Sequence, residues 1–186
     1  TAFTGSDTVT TMATGPFATN ALLVGGSQGV VVAGDPVSST LQFVTILSGS
    51  GDPVTAVAFI AGTTALTDVV VLVGYQSGKV VKVTDPYGRH TATVVGTSSD
   101  GPVVGFGNVY GNLNELYVAY PKQVYATSNG GASWTAVLPA ASSTTVRQPA
   151  TIADAVRVSD VVGIVRDPAH PLVYIAFGRK MGPTAA

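Results

Sequence analysis

Short β-rich runs separated by tight turns recur along this chain in groups, and that recurrence leaves it few ways to fold. Leu22-Leu-Val-Gly-Gly26 is followed by Gly29-Val-Val-Val-Ala33, the turn Asp35-Pro36 and Leu41-Gln-Phe-Val-Thr-Ile46. The same order returns as Val69-Val-Val-Leu-Val-Gly74, Gly78-Lys-Val-Val-Lys-Val83, Asp85-Pro86 and Thr91-Ala-Thr-Val-Val95. It returns again as Glu115-Leu-Tyr-Val-Ala-Tyr120, Gln123-Val-Tyr-Ala-Thr127, Asn129-Gly-Gly131 and Trp134-Thr-Ala-Val-Leu138. A further apolar run precedes the second and third groups, at Val54-Thr-Ala-Val-Ala-Phe-Ile60 and Val103-Val-Gly-Phe106. Val161-Val-Gly-Ile-Val165 takes that part for a fourth group, which continues as Leu172-Val-Tyr-Ile-Ala-Phe177. With Gly25, Gly74, Ala119 and Ala176 as equivalent positions, the steps are 49, 45 and 57 residues.

Four strands recurring every ~40–50 residues mark the blades of a β-propeller. Val and Thr, stiff at χ1 and suited to strands, are spread throughout, and no stretch holds a 3.6-residue period. The expectation is an all-β chain, residues 1–186 forming a single propeller unit of four-stranded antiparallel blades. Blades are placed at residues 8–46, 54–95 and 102–138, with an incomplete one at 160–178. That makes about three and a half blades, and it leaves the strand around Leu172, Tyr174 and Ala176 with an open edge. Residues 139–159 read as a loop insertion, with room for a short helix at 151–156.

Composition narrows the function. Charged residues are 10% of the chain, against about 25% in ordinary soluble domains, so solubility rests on Ser and Thr or on surfaces that partners cover. The formal net charge of −1 offers no electrostatic case for nucleic acid. The chain has no cysteine, which excludes disulfides and thiolate chemistry. No apolar run reaches the ~20 residues of a membrane span, and the stretch from Thr1 lacks the basic flank and apolar core of a signal peptide. The two histidines, His90 and His170, have no carboxylates at ligand spacing, so neither a metal nor a cofactor is expected.

Thr127-x-Asn129-x-Gly131-x-Ser133-Trp134 resembles the Asp-box, Ser-x-Asp-x-Gly-x-Thr-Trp, the BNR repeat of the sialidase-like propellers. It departs from that pattern by Asn129 in place of Asp and by two Ser/Thr exchanges. Residues 83–90 look like a degenerate second copy without the aromatic. Residues 165–176 resemble the phrase that leads into a new blade in the same group. The resemblance implies that residues 127–134 form the hairpin between the third and fourth strands of a blade, on the rim away from a central active site. Turn chemistry gives the motif a structural role in its own right: an Asx oxygen accepts from turn amides, glycines allow positive φ, and the indole packs between sheets. The resemblance also implies an exported or extracellular protein.

Sialidase chemistry, as the resemblance would have it, needs an arginine cluster, a tyrosine nucleophile with its glutamate, and an acidic acid/base. Yet five of the ten acidic residues lie in turn dipeptides (Asp35-Pro36, Asp52-Pro53, Asp85-Pro86, Asp100-Gly101, Asp167-Pro168). Glu115 is the only glutamate and starts a strand. No catalytic residue is therefore assigned, although Arg147-Gln-Pro149 faintly resembles the Arg-Ile-Pro of sialidases. Arg147, Arg157 and Tyr120 are the candidate binding residues. The leading expectation is a non-catalytic binding or structural module in a larger assembly, completed by a protein partner or a second copy, with carbohydrate as a candidate ligand. The alternative is a piece of a secreted carbohydrate-active glycoside hydrolase whose catalytic residues lie elsewhere.

Overall fold

The structure, a computed structural model, describes residues 6–15, 21–35, 39–61, 68–108, 112–138, 159–166 and 172–179. The first sheet holds β1 (Val9–Thr14), β2 (Leu22–Gly26), β3 (Val31–Gly34) and β4 (Phe43–Leu47). The second holds β5 (Val54–Ala61), β6 (Val70–Tyr75), β7 (Lys79–Thr84) and β8 (Thr91–Thr97). The third holds β9 (Gly105–Asn108), β10 (Leu116–Ala119), β11 (Val124–Thr127) and β12 (Thr135–Ala136). Among the described residues the fourth holds β13 (Ser159–Arg166) and β14 (Val173–Arg179). Every pairing is antiparallel between neighbours in sequence.

The strands that open the sheets stand next to one another, β1 by β5, β5 by β9 and β9 by β13. Successive sheets therefore fan out from a shared inner side. Burial follows that geometry. All six residues of β6 are buried, whereas β4, β8 and β12 at the outer edge are largely exposed. A strand covered on both faces has to be apolar at every position, and this accounts for Val70-Val-Leu-Val beside the threonine-rich 91–97.

Three apolar clusters fill the spaces between the sheets. Leu23, Val31 and Ile46 of the first sheet meet Val57, Val71 and Val83 of the second. Ile60, Leu72 and Val80 of the second meet Leu116, Val118 and Tyr120 of the third. Ala119, Val124 and Leu138 of the third meet Val161 and Ile164 of the fourth. Strand alternation sends Val118 to one neighbour and Ala119 to the other.

One contact repeats at each junction. Val54 at the head of β5 sits on Gly25 of β2, where an added Cβ would lie 2.5 Å from Val54 Cγ1. Val103 sits in the same way on Gly74 of β6, and Val161 shares the third cluster with Ala119 of β10. The backbone reinforces two of these seats: the amide of Val103 donates to the Tyr75 carbonyl (3.2 Å) and that of Val161 to the Pro121 carbonyl (2.8 Å). A small residue in the second strand thus accepts the valine of the next sheet, and Gly25, Gly74 and Ala119 mark the repeat for that reason. The ladder irregularities recur as well, between Val9 and Thr11, Val54 and Ala56, and Val161 and Gly163.

Some expectations shift in detail. β9 starts at Gly105, after Val103, and β12 is limited to Thr135 and Ala136, although 134–138 reads as a full strand. β13 begins at Ser159, the last residue of the expected insertion. The rest of that insertion, with its expected helix, lies outside the described residues.

Candidate functional site

The turn at 127–134 is built around two side-chain oxygens. Thr127, buried at the end of β11, donates from Oγ1 to Asn129 Oδ1 (2.8 Å) and accepts the amides of Asn129 and Gly131 (both 3.2 Å). Asn129 Oδ1 also accepts the Ser133 amide (2.9 Å), while Asn129 Nδ2 donates to Ser133 Oγ (2.9 Å). Gly130 and Gly131 have φ of +68° and +95°, a region that side chains with a Cβ rarely enter. The turn delivers Trp134 to the second sheet, where its indole N–H donates to the Val95 carbonyl (2.7 Å). Gly96 leaves room for the ring, since a Cβ there would come within 3.3 Å of Trp134 Nε1. Lys82 of β7 answers from the other side by donating to the Gly130 carbonyl (2.9 Å).

Thr127, Asn129, Gly131, Ser133 and Trp134 are thus brought together into one turn between the third and fourth strands of a sheet, and Trp134 ties that turn to the preceding sheet. Tyr120 lies inside the junction of the second and third sheets. Its hydroxyl donates to the Gly78 carbonyl (3.0 Å) and its ring meets Tyr125 edge-on at 5.8 Å. A cavity of about 120 Å³ opens beside it, lined by Val80, Gly96, Val118, Tyr120, Tyr125 and Trp134. Arg147 and Arg157 lie outside the described residues. Leu172, Tyr174 and Ala176 are exposed, and among the described residues β14 pairs with β13 alone.

At the opposite end of the sheets from the 127–134 turn, carboxylates join loops to turns. Asp7 accepts from Ser27 Oγ and the Gln28 amide (both 3.0 Å). Asp52 accepts from Ser77 Oγ (2.6 Å) and the Ser77 amide (3.1 Å), with Lys79 Nζ at 3.7 Å. Asp100 accepts from Ser98 Oγ and Tyr125 OH (both 2.7 Å), and Asp160 pairs with Lys122. The phenols respond to these surroundings. Burial, then the charge of Asp52, raises Tyr75 to about 12. Burial, then Asp35, raises Tyr87 to about 12. Burial, then Tyr125 and Asp100, raises Tyr120 to about 12. The hydrogen bond to Asp100 leads the causes that raise Tyr125.

Sequence reasoning passed over a polar basin of about 570 Å³ on the third sheet. Its lining includes Asn112, Asn114, Glu115, Tyr117, Ser133 and Thr135, with Tyr117 OH donating to Glu115 Oε1 (3.1 Å). The available signal was the turn at 111–114 running into β10, which brings Asn112 and Asn114 near the 127–134 turn. Amides, hydroxyls, one carboxylate and one aromatic ring supply both donors and acceptors for a polyhydroxylated ligand. Among the described residues, no group of three or more His, Asp or Glu is arranged to hold a metal ion, and no helix is long and apolar enough to cross a membrane.

Comparison with solved structures settles the architecture. The chain is similar to the crystal structure of an ancestral GH74 enzyme, with a TM-score of 0.61 and 17% identity over 92% of this chain. The chain has the fold of a partial β-propeller. It spans 22% of the length of that enzyme. No protein-family model matches, and neither does any curated protein.

Two measurements test the local picture. Trp134→Ala removes an interlocking ring and an inter-sheet hydrogen bond, and should lower stability by about 3–5 kcal/mol in denaturant unfolding; an unchanged midpoint would refute the tie. The phenols at about 12 stay protonated in the folded chain where unfolded tyrosines, near 10, have ionised. Their contribution to stability is full below about pH 10 and is lost as pH rises from there through about 12. Near-ultraviolet titration should show a late group of phenols that ionises together with unfolding. Ionisation of every tyrosine near pH 10 in a folded chain would contradict it.

Proposed function

We propose that this chain works as a non-catalytic propeller segment of a larger, carbohydrate-active assembly. The observation that carries the reading is how its acids are used. Asp7, Asp52 and Asp100 each accept hydrogen bonds from a serine hydroxyl and from a second group, either a turn amide or a phenol. Asp85 accepts the Arg89 amide (3.0 Å) within its own turn. Glycoside hydrolysis generally takes two carboxylates facing one bond across roughly 5–10 Å, and groups that knit turns together are poor candidates for that pair. Tyr75, Tyr87, Tyr120 and Tyr125, held protonated, make poor nucleophiles, which leaves Tyr117 beside Glu115 as the tyrosine–glutamate pair that the test below has to clear.

The likeness to a GH74 enzyme supports the carbohydrate-active setting, as does the polar basin beside Glu115 and Tyr117. The 127–134 turn has the hydrogen bonding that an Asp-box would need, with Asn129 in the place of the acid. On this reading the protein is exported, and the chain contributes wall and support while the reacting carboxylates come from elsewhere in the assembly.

The test is release of reducing ends from β-glucan and sialoside oligosaccharides by the purified chain. No release above the blank is expected. Turnover that disappears in Asp100→Asn or Glu115→Gln would overturn the reading.

A further inference from the structure

The 127–134 turn contains an Asn-Gly step. Asparagine occurs at positions 20, 108, 112, 114 and 129, and glycine follows only Asn129. The step matters because the main-chain nitrogen of the next residue can attack an asparagine amide. A glycine there has no Cβ to obstruct the approach. Asn129 is exposed, so the water that such a reaction consumes reaches it, while Gly130 is buried.

The closed turn holds the two reacting groups in other bonds. Gly130 donates its N–H to the Asn114 carbonyl (3.1 Å). Asn129 Oδ1 accepts from Thr127 Oγ1 (2.8 Å) and from the Ser133 amide (2.9 Å), and Asn129 Nδ2 donates to Ser133 Oγ (2.9 Å). Ring closure needs the Gly130 nitrogen stripped of its proton and set against Asn129 Cγ, so these bonds have to open first. Two ties to the second sheet resist that opening: Lys82 Nζ on the Gly130 carbonyl (2.9 Å) and Trp134 Nε1 on the Val95 carbonyl (2.7 Å).

We propose that Asn129 is a hydrolytic modification site, gated by the 127–134 turn and completed by water. In an opened turn the Gly130 nitrogen, its proton lost to a solvent base, forms a bond to Asn129 Cγ. The Cγ–Nδ2 bond breaks, and the nitrogen leaves as ammonia with a proton from solvent. Water then opens the five-membered imide. Cleavage between Cγ and the Gly130 nitrogen gives an aspartyl residue, and cleavage between that nitrogen and the main-chain carbonyl carbon gives an isoaspartyl one. Nothing is oxidised or reduced: one water enters and one ammonia leaves.

The turn treats the two products differently. A carboxylate at position 129 keeps both bonds that Oδ1 accepts, and the Ser133 hydroxyl reverses to donate to the second oxygen. The isoaspartyl form puts an extra methylene into the main chain between 129 and 130. The φ of +68° at Gly130 and +95° at Gly131 then no longer deliver Trp134 to Val95. The turn thus records its own openings: one product restores the tie between the second and third sheets, and the other cuts it. The chemistry is independent of any action of the assembly on carbohydrate.

Ageing the full 186-residue chain at mildly alkaline pH, with and without denaturant, tests the proposal. The tryptic peptide 123–147 contains Asn129 and no other asparagine, so its mass and retention resolve the asparaginyl, aspartyl and isoaspartyl forms. Conversion in the folded chain should be about tenfold slower, or more, than in the unfolded chain, because it waits on local opening. Lys82→Met frees the Gly130 carbonyl and should raise the folded rate severalfold while leaving the unfolded rate alone. Trp134→Phe serves in its place if that variant does not fold. Asn129→Asp should keep the unfolding midpoint of the unaltered chain, whereas Asn129→Ala should lower it. Equal folded and unfolded rates, a folded rate indifferent to Lys82→Met and Trp134→Phe, or Asn129→Asp as unstable as Asn129→Ala would each overturn the proposal.

Discussion

A valine seated on a residue with little or no side chain holds each sheet of this protein to the next. The contact is small in area, yet it fixes how closely two twisted sheets approach, and the larger apolar clusters form only at that spacing. Full burial of a valine is worth roughly 1.5–3 kcal/mol, and each seat also sets the position of the residues around it. Gly25 and Gly74 are therefore constrained from outside their own sheet, by Val54 and Val103, since no Cβ fits between. Glycine weakens a strand interior, and that cost is offset here by the packing it permits.

Polar groups finish what the seats begin, differently at the two ends of the sheets. At one end, Asp7 and Asp52 hold the loop that enters a sheet against the turn inside it, while Asp100 ties its loop to Tyr125. At the other, the 127–134 turn closes on itself through Thr127 and Asn129 and then reaches back with Trp134 to Val95. With charged residues at 10% of the chain, few carboxylates are available, and these uses account for several of them. A carboxylate that accepts two hydrogen bonds in a turn is held where the fold needs it.

Much of the fold was legible in the sequence because its signals are local. Glycine, proline and aspartate mark the turns, and continuous valine runs mark strands covered on both faces. The equivalence of Gly25, Gly74, Ala119 and Ala176 was visible as a period, but its cause was not. It lies in the contact of Gly25 with Val54, 29 positions along the chain, and nothing local signals it. The site was read less well for the same reason. Tyr120 is a candidate binding residue by sequence, with packing between blades as the commoner role for such a tyrosine, and packing of the second sheet against the third encloses it. The basin at Asn112, Asn114 and Tyr117 forms where a loop and a turn from different parts of the third sheet meet.

The seat is tested most directly by a double-mutant cycle on Gly25 and Val54, followed by denaturant unfolding. Gly25→Ala alone introduces a Cβ against the valine, and Val54→Ala alone removes the valine from its seat. In the double mutant the 2.5 Å approach to Val54 Cγ1 is relieved, while those to Thr11 Cγ2 and to the Cβ at position 54, both 2.9 Å, remain. The predicted outcome is a coupling free energy of about 1 kcal/mol or more, with the double mutant more stable than the sum of the single effects implies. Additivity within about 0.5 kcal/mol would contradict the account, because it would mean that the two residues do not set each other's position.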